Sequence, residues 1–260
     1  MATEEILMLY KKKFCKDFFL LPILGCELEF YSSVPCPKLL ETDLDIVEEC
    51  GRNQYELRIV PTDDLMGLAE QIKRSKKEII KIVEKYGGQV LFGAKPFADR
   101  PCSTLQIHLN FLSLNKKSAS PMLQYAIGGL LHTMPDFMIF FAPKAKSYEL
   151  YTQKTMTTPT TISWGYNNRT TALRVIKGHG KIERVEHRIA GADADLLEVM
   201  KAILFGAYIG IREKIPPPPP TYGLAFDPQY GLASLPLTLI EAKKNFTNSK
   251  FSDMFDCTLN

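Results

Sequence analysis

Charge enters the strand-forming stretches of this chain with a period of two. In Gly25-Cys26-Glu27-Leu28-Glu29-Phe30, Cys26, Leu28 and Phe30 point to one side of an extended backbone, and Glu27 and Glu29 point together to the other. Two neighbouring carboxylates on one face repel unless something positive lies between them, and a divalent cation does this economically. A solvated edge strand shows the same alternation. The pattern recurs, however. Gln106, His108 and Asn110 alternate with Leu105, Ile107, Leu109 and Phe111, and Arg184, Glu186 and Arg188 alternate with Val185, His187 and Ile189. Glu56 lies between Tyr55 and Leu57, eight residues after Glu48. Solvated faces favour Lys, Thr, Ser and Gln. Short acids beside arginines suit a funnel for metal ions and phosphate.

The rest of the chain limits what can carry such a face. Its 260 residues, 45% apolar and 23% charged, suffice for one large domain or two small ones without disulfides or a structural metal. A net charge of +3 argues against nucleic acid or an anionic membrane as the main partner. Cys15, Cys26, Cys36, Cys50, Cys102 and Cys257 contain no C-x-x-C pair. Glu4 and Glu5 fall early, the basic run Lys11–Lys13 follows them, and the apolar runs Phe18–Cys26 and Phe137–Pro143 are too short to span a bilayer. The expectation is a cytoplasmic protein with reduced thiols and no membrane partner.

Strands are expected at Ile23–Tyr31, Tyr55–Val60, Gln89–Phe92, Thr104–Leu112, Thr161–Trp164, Thr171–Ile176 and Ile182–Ile189. Helices are expected at Asp63–Tyr86, capped by Thr62 or Asp63, and at Pro121–Met134, Asp193–Lys214 and Leu237–Phe246. Met138–Ala142 is too short to assign by periodicity. Strands outnumber crossover helices, which favours an α+β fold with a curved, mostly antiparallel sheet backed by helices. The prolines Pro216–Pro220 should form a surface polyproline II segment, serving as a rigid connector or as a ligand for an SH3-like module.

Several stretches, in order, resemble the catalytic domain of glutamine synthetases. Gly25–Phe30 is similar to G-x-E-x-E-F, and Glu48 through Gln54-Tyr55-Glu56 to a second acidic segment. Lys95-Pro96 with Ser103–Asn110 resembles K-P…G-S-G-M-H-x-H. Ser147-Tyr148 resembles N-S-Y-K-R. Asn167–Arg174 and Arg184–Arg188 resemble R-N-R-S-A-x-x-R and R-I-E-x-R. The resemblance spans about residues 20–250 and implies one catalytic-type domain over 1–260. It also implies an ATP- and Mg²⁺- or Mn²⁺-dependent carboxylate–amine ligase acting through an acyl phosphate, with two or three metal sites. Glu29, Glu48 and Glu56 would then hold one metal, and Glu27 and Glu186, with Gln106 in place of a histidine, a second. Arg169 and Arg174 would lie on the phosphate side, and Arg184 and His108 by the nucleotide. Arg188 would lie at the transferred phosphate, with Arg169, Arg188 and Glu186 as the catalytic set.

The departures bear on substrate. Pro101, Cys102 and Thr104 replace loop glycines, and Leu150 stands where the family has an arginine for the α-carboxylate of glutamate. The stretch 152–161 contains no acid to close over ammonium, and no N-terminal β-grasp domain is recognisable. The implied function is a ligase with an altered acid or amine. The alternative is a catalytically decayed Mg-nucleotide-binding homologue with a regulatory or partner-dependent role. A homo-oligomer, or a separate chain supplying the β-grasp domain, are the partners to consider.

Overall fold

Side-chain alternation assigns the two faces of a sheet whose strands were largely anticipated. The computed structural model describes residues 2–255. Its strands are β1 (Leu20–Ser32), β2 (Ile46–Glu48), β3 (Gln54–Thr62), β4 (Val90–Leu91), β5 (Leu105–Ser113), β6 (Trp164–Tyr166), β7 (Leu173–Gly178) and β8 (Lys181–His187). They form one sheet in the order β2-β3-β1-β5-β8-β7-β6, with β4 paired to β1. The described pairings are antiparallel except β6 with β7. With its helices this is an α+β fold.

Leu24, Cys26, Leu28 and Phe30 of β1, Leu105, Ile107 and Leu109 of β5, and Val185 of β8 are buried in one continuous core. Helices cover that face: α1 (Thr3–Phe18), α2 (Leu65–Lys85), α3 (Ser120–Phe141), α4 (Leu196–Arg212), α5 (Leu239–Asn248) and the single turn α6 (Ser252–Phe255). Helix α2 lies against β1 and β3, whereas α4 packs on α3 and α1. Three glycines allow α3 and α4 to meet backbone to backbone. A Cβ at Gly210 would come within 2.7 Å of the Gly129 backbone, and one at Gly206 within 3.4 Å of the Leu130 Cα.

Several expectations change. Helix α1 was not anticipated, although Ile6, Leu7, Tyr10 and Phe14 fall at helical spacing and are all buried. Asp64, rather than Thr62 or Asp63, caps α2 by accepting from Gly67 N at 2.9 Å. Helix α3 continues through Pro135 to Phe141 and absorbs Met138–Phe141. The buried Phe137, Met138 and Phe141 offset the hydrogen bond that proline removes. The strand expected at Thr161–Trp164 lies instead at Trp164–Tyr166. The polyproline segment is bolted to its own chain by the Trp164 indole, which donates to the Pro218 carbonyl at 2.7 Å. Cys15, Cys26, Cys36, Cys50 and Cys102 are free thiols, and Cys257 lies outside the described residues. No described helix is long and apolar enough to cross a membrane.

Candidate metal and phosphate site

The uncovered face of the sheet carries the polar residues, and strand register sets them in rows. Glu29 of β1 lies opposite Glu56 of β3. Glu27 lies between Arg58 of β3 and Gln106 of β5. Glu186 of β8 lies between His108 of β5 and Arg174 of β7. One pocket gathers Glu27, Glu29, Glu49, Glu56, Gln106 and Glu186, with Arg58, Arg169 and Arg174 around them.

Carboxylate oxygens of Glu29, Glu49 and Glu56 lie within 4.8 Å of one another. Among the described residues, this is the one group of three or more His, Cys, Asp or Glu ligand atoms so close together. Such a set of hard oxygens fits Mg²⁺ or Mn²⁺. Glu48, the expected ligand, is not part of it. Glu48 pairs with Tyr55 while Val47 pairs with Glu56, so alternation turns Glu48 to the face opposite the carboxylates. Glu49 turns back toward them, its N–H bonded to the Gln54 carbonyl at 2.9 Å.

The carboxylates differ in environment. Glu29 is buried and accepts from Thr104 N at 2.8 Å and Gln106 Nε2 at 3.0 Å. Burial dominates, pushing its pKa up to about 8. Glu56 is also raised, by burial and by the charge of Glu27, although Arg58 Nε donates to it at 2.7 Å. Burial acts on Glu27 in the same direction, but its contact with His108 and the charges of Arg58 and Arg188 outweigh this and hold it low. His108 Nε2 is 3.0 Å from Glu27 Oε1, yet neither ring nitrogen makes an aligned hydrogen bond.

Glu186 is bound on both oxygens. Arg174 Nη1 donates to Oε2 at 2.9 Å, and Arg188 Nη1 donates to Oε1 in a short ion pair. Arg188 Nη1 also donates to Gln106 Oε1 at 2.8 Å, and its Nη2 to the Thr157 carbonyl at 3.0 Å. The structure therefore joins Glu27, Glu29, Glu56, Gln106, Glu186, Arg169 and Arg174 around one pocket. His108 and Arg184 line a neighbouring cavity with Ile23, Pro61 and Phe111, and the His108–Glu27 contact links the two cavities. Arg58, Glu49, Thr157 and Thr158 were missed. The signal for Arg58 was its two-residue spacing from Glu56 along a strand, which puts both on one face; Glu49 is told from Glu48 only by the cross-strand register.

The glutamine synthetase catalytic-domain family model matches residues 41–256. The chain belongs to the glutamine synthetase family. It is 34% identical over 178 residues to gamma-glutamylputrescine synthetase of Escherichia coli, covering 65% of this chain and 38% of that one. To glutamate–isopropylamine ligase of Pseudomonas it is 30% identical over 215 residues, covering 78% of this chain and 46% of that one. To gamma-glutamylethanolamide synthetase of Streptomyces coelicolor it is 28% identical over 208 residues, covering 77% and 44%. The chain thus spans less than half the length of these relatives. The solved structure described as apo GmaS without ligand shares the fold, with a TM-score of 0.81 at 19% identity over 98% of this chain and 69% of that one.

Of the positions read as departing from the family motifs, Pro101, Cys102 and Thr104 line the pocket. Leu150 is fully buried in a short 3₁₀ turn (Ala145–Thr152) and does not line the pocket. The stretch 152–161 brings Thr157 and Thr158 to the pocket. It is pinned by Gln153, whose Oε1 accepts from the buried Lys95 Nζ at 3.1 Å, and by the Arg188–Thr157 bond. Lys95 also donates to the Arg100 carbonyl, so it braces this loop and does not face the carboxylates. Burial pushes the Cys102 thiol up to about 11, which makes it a poor nucleophile.

Proposed function

We propose that the protein is an ATP- and divalent-metal-dependent ligase that joins a small carboxylic acid to an amine other than ammonia. The observation carrying this reading is the juxtaposition of the Glu29–Glu49–Glu56 cluster with arginines around one pocket. Phosphoryl transfer from ATP to a carboxylate needs cations at the phosphates and fixed positive charge where negative charge develops. Mg²⁺ or Mn²⁺ held by Glu29, Glu49 and Glu56 would supply the first. Arg169 and Arg174 line the same pocket, and among the described residues Arg169 makes no hydrogen bond or ion pair that would compete with a phosphate. The apolar cavity of Ile23, Pro61 and Phe111, with His108 and Arg184, is suited to the base and first phosphates, and it opens toward the carboxylates at Glu27.

The reaction is phosphorylation of the acid to an acyl phosphate, followed by attack of the amine nitrogen on that carbonyl and loss of phosphate. The absence of an acid at Thr157 and Thr158 supports a neutral or substituted amine over ammonium, in keeping with the amines named for the relatives. Burial of Leu150 supports an acid gripped differently from glutamate in the family.

The test is phosphate release from ATP by the purified protein with Mg²⁺ or Mn²⁺, over a panel of acids crossed with ammonia, putrescine, ethanolamine and isopropylamine. Glu56→Gln serves as the blank. Amine-dependent release lost in the blank supports the ligase. ATP binding without release under any pair supports the decayed homologue instead.

A further inference from the structure

The family resemblance implies two or more cations in the funnel. The residues around Glu27, Gln106 and Glu186 do not fit a second one, for three reasons of donor chemistry. Both oxygens of Glu186 already accept from guanidinium groups, Oε2 from Arg174 at 2.9 Å and Oε1 from Arg188. The Gln106 amide is oriented by its neighbours. A guanidinium only donates, so Oε1 must face Arg188, at 2.8 Å, which leaves Nε2 toward Glu29, at 3.0 Å. The amide's one oxygen, the atom that could ligate a cation beside Glu186, is then already occupied by Arg188. Finally, Glu27 and Glu186 join no close group of three metal-ligand side chains among the described residues.

Charge separates the two halves of the pocket. Glu27 and Glu186 face two guanidinium groups, Arg174 and Arg188, and are balanced without a metal. Glu29, Glu49 and Glu56 have one cationic partner, Arg58 on Glu56, and retain a net negative charge when ionised. Arg188 is nearly fully buried, with side-chain exposure of 7%, and is held by Gln106, Glu186 and the Thr157 carbonyl. A buried guanidinium among these oxygens is a permanent cation.

We propose that this chain holds one divalent cation of its own, at Glu29, Glu49 and Glu56, and that the Arg188 guanidinium stands in place of a second. This rests on the metal-dependent reading above but not on turnover. Arg188 then has two tasks. It supplies fixed positive charge between Gln106 and Glu186, and through Thr157 it fixes the 152–161 loop, which an exchangeable ion would not do.

Mn²⁺ binding to the metal-free protein, counted by the loss of the free-ion EPR signal in the absence of nucleotide, tests this. The proposal expects one ion per chain, retained in Glu27→Gln and weakened at least about tenfold in Glu56→Gln. It expects Arg188→Gln to bind a second ion, because Glu186 Oε1 and Gln106 Oε1 are released. Two ions in the unaltered protein, loss of the ion in Glu27→Gln, or a single ion in a folded Arg188→Gln would each overturn it. No ion at all would overturn the metal-dependent ligase reading as well, so the two fail differently. The unaltered protein's count decides the matter even where a variant does not fold.

Discussion

Binding a cation at Glu29 must displace a proton. Burial, only partly countered by the hydrogen bonds from Thr104 and Gln106, lifts Glu29 from an ordinary 4.5 to about 8, so the metal-free site holds a protonated carboxyl at neutral pH. With a pKa of about 8, roughly nine sites in ten are protonated at pH 7, and Mn²⁺ binding should release about 0.9 proton there. Release should fall to about 0.5 at pH 8 and toward zero above pH 9. Affinity should rise about tenfold per pH unit below 8 and level off above it. The same shift sets the stability of the metal-free protein. The folded state binds this proton more tightly than the unfolded chain, so the contribution is full below 4.5 and is lost as pH rises through 8. Its upper bound is about 5 kcal/mol. Calorimetric titration of Mn²⁺ in buffers of different ionisation enthalpy gives the proton count directly. A pH-independent affinity between 6 and 8 with no proton release at pH 7 would refute the reasoning, since Glu29 would then be ionised before the ion arrives.

Three further outcomes follow from the packing. Gly210→Ala should lower stability by about 3 kcal/mol, because the methyl meets the Gly129 backbone within 2.7 Å and the Tyr125 carbonyl, neither of which can rotate away; thermal melting measures it. Gln153→Ala removes the acceptor 3.1 Å from the buried Lys95 and should free the 152–161 loop, raising the rate of tryptic cleavage at Lys154 about tenfold with little change in melting temperature. Burial against Phe141 holds His187 down to about 3, so the fold excludes its proton. Its stabilising contribution is present above 6.5 and lost as pH falls toward 3. His187→Gln should therefore flatten the acid limb of chemical denaturation midpoints measured between pH 6.5 and 4.

The strands and their polar faces were readable because alternation is a local property. Glu27 and Glu29 share a face whatever the rest of the chain does, and β1, β3, β5 and β8 appear where that alternation placed them. Long amphipathic α2 and α4 were equally legible, their ends shifted by the choice of cap. What was not legible depended on contacts remote in sequence. Pro135 reads as a stop until the buried Phe137, Met138 and Phe141 show what continuing the helix gains. Glu48 and Glu49 cannot be told apart by spacing, and only the pairing of Val47 with Glu56 decides which one faces the cluster. The state of Gln106 and Glu186 was hidden for the same reason. Arg188 is two residues from Glu186 on the same strand face, a position that predicts proximity but not that both oxygens of Glu186 would be taken.

The central claim is that a carboxylate is activated by phosphoryl transfer in this pocket, and oxygen tracing tests it most directly. With the acid substrate labelled by ¹⁸O in its carboxylate, turnover with ATP and the preferred amine should leave one labelled oxygen in each inorganic phosphate released, detected by mass spectrometry. Phosphate carrying no label, at a turnover matched to amide formed, would contradict the acyl phosphate and the account built on it.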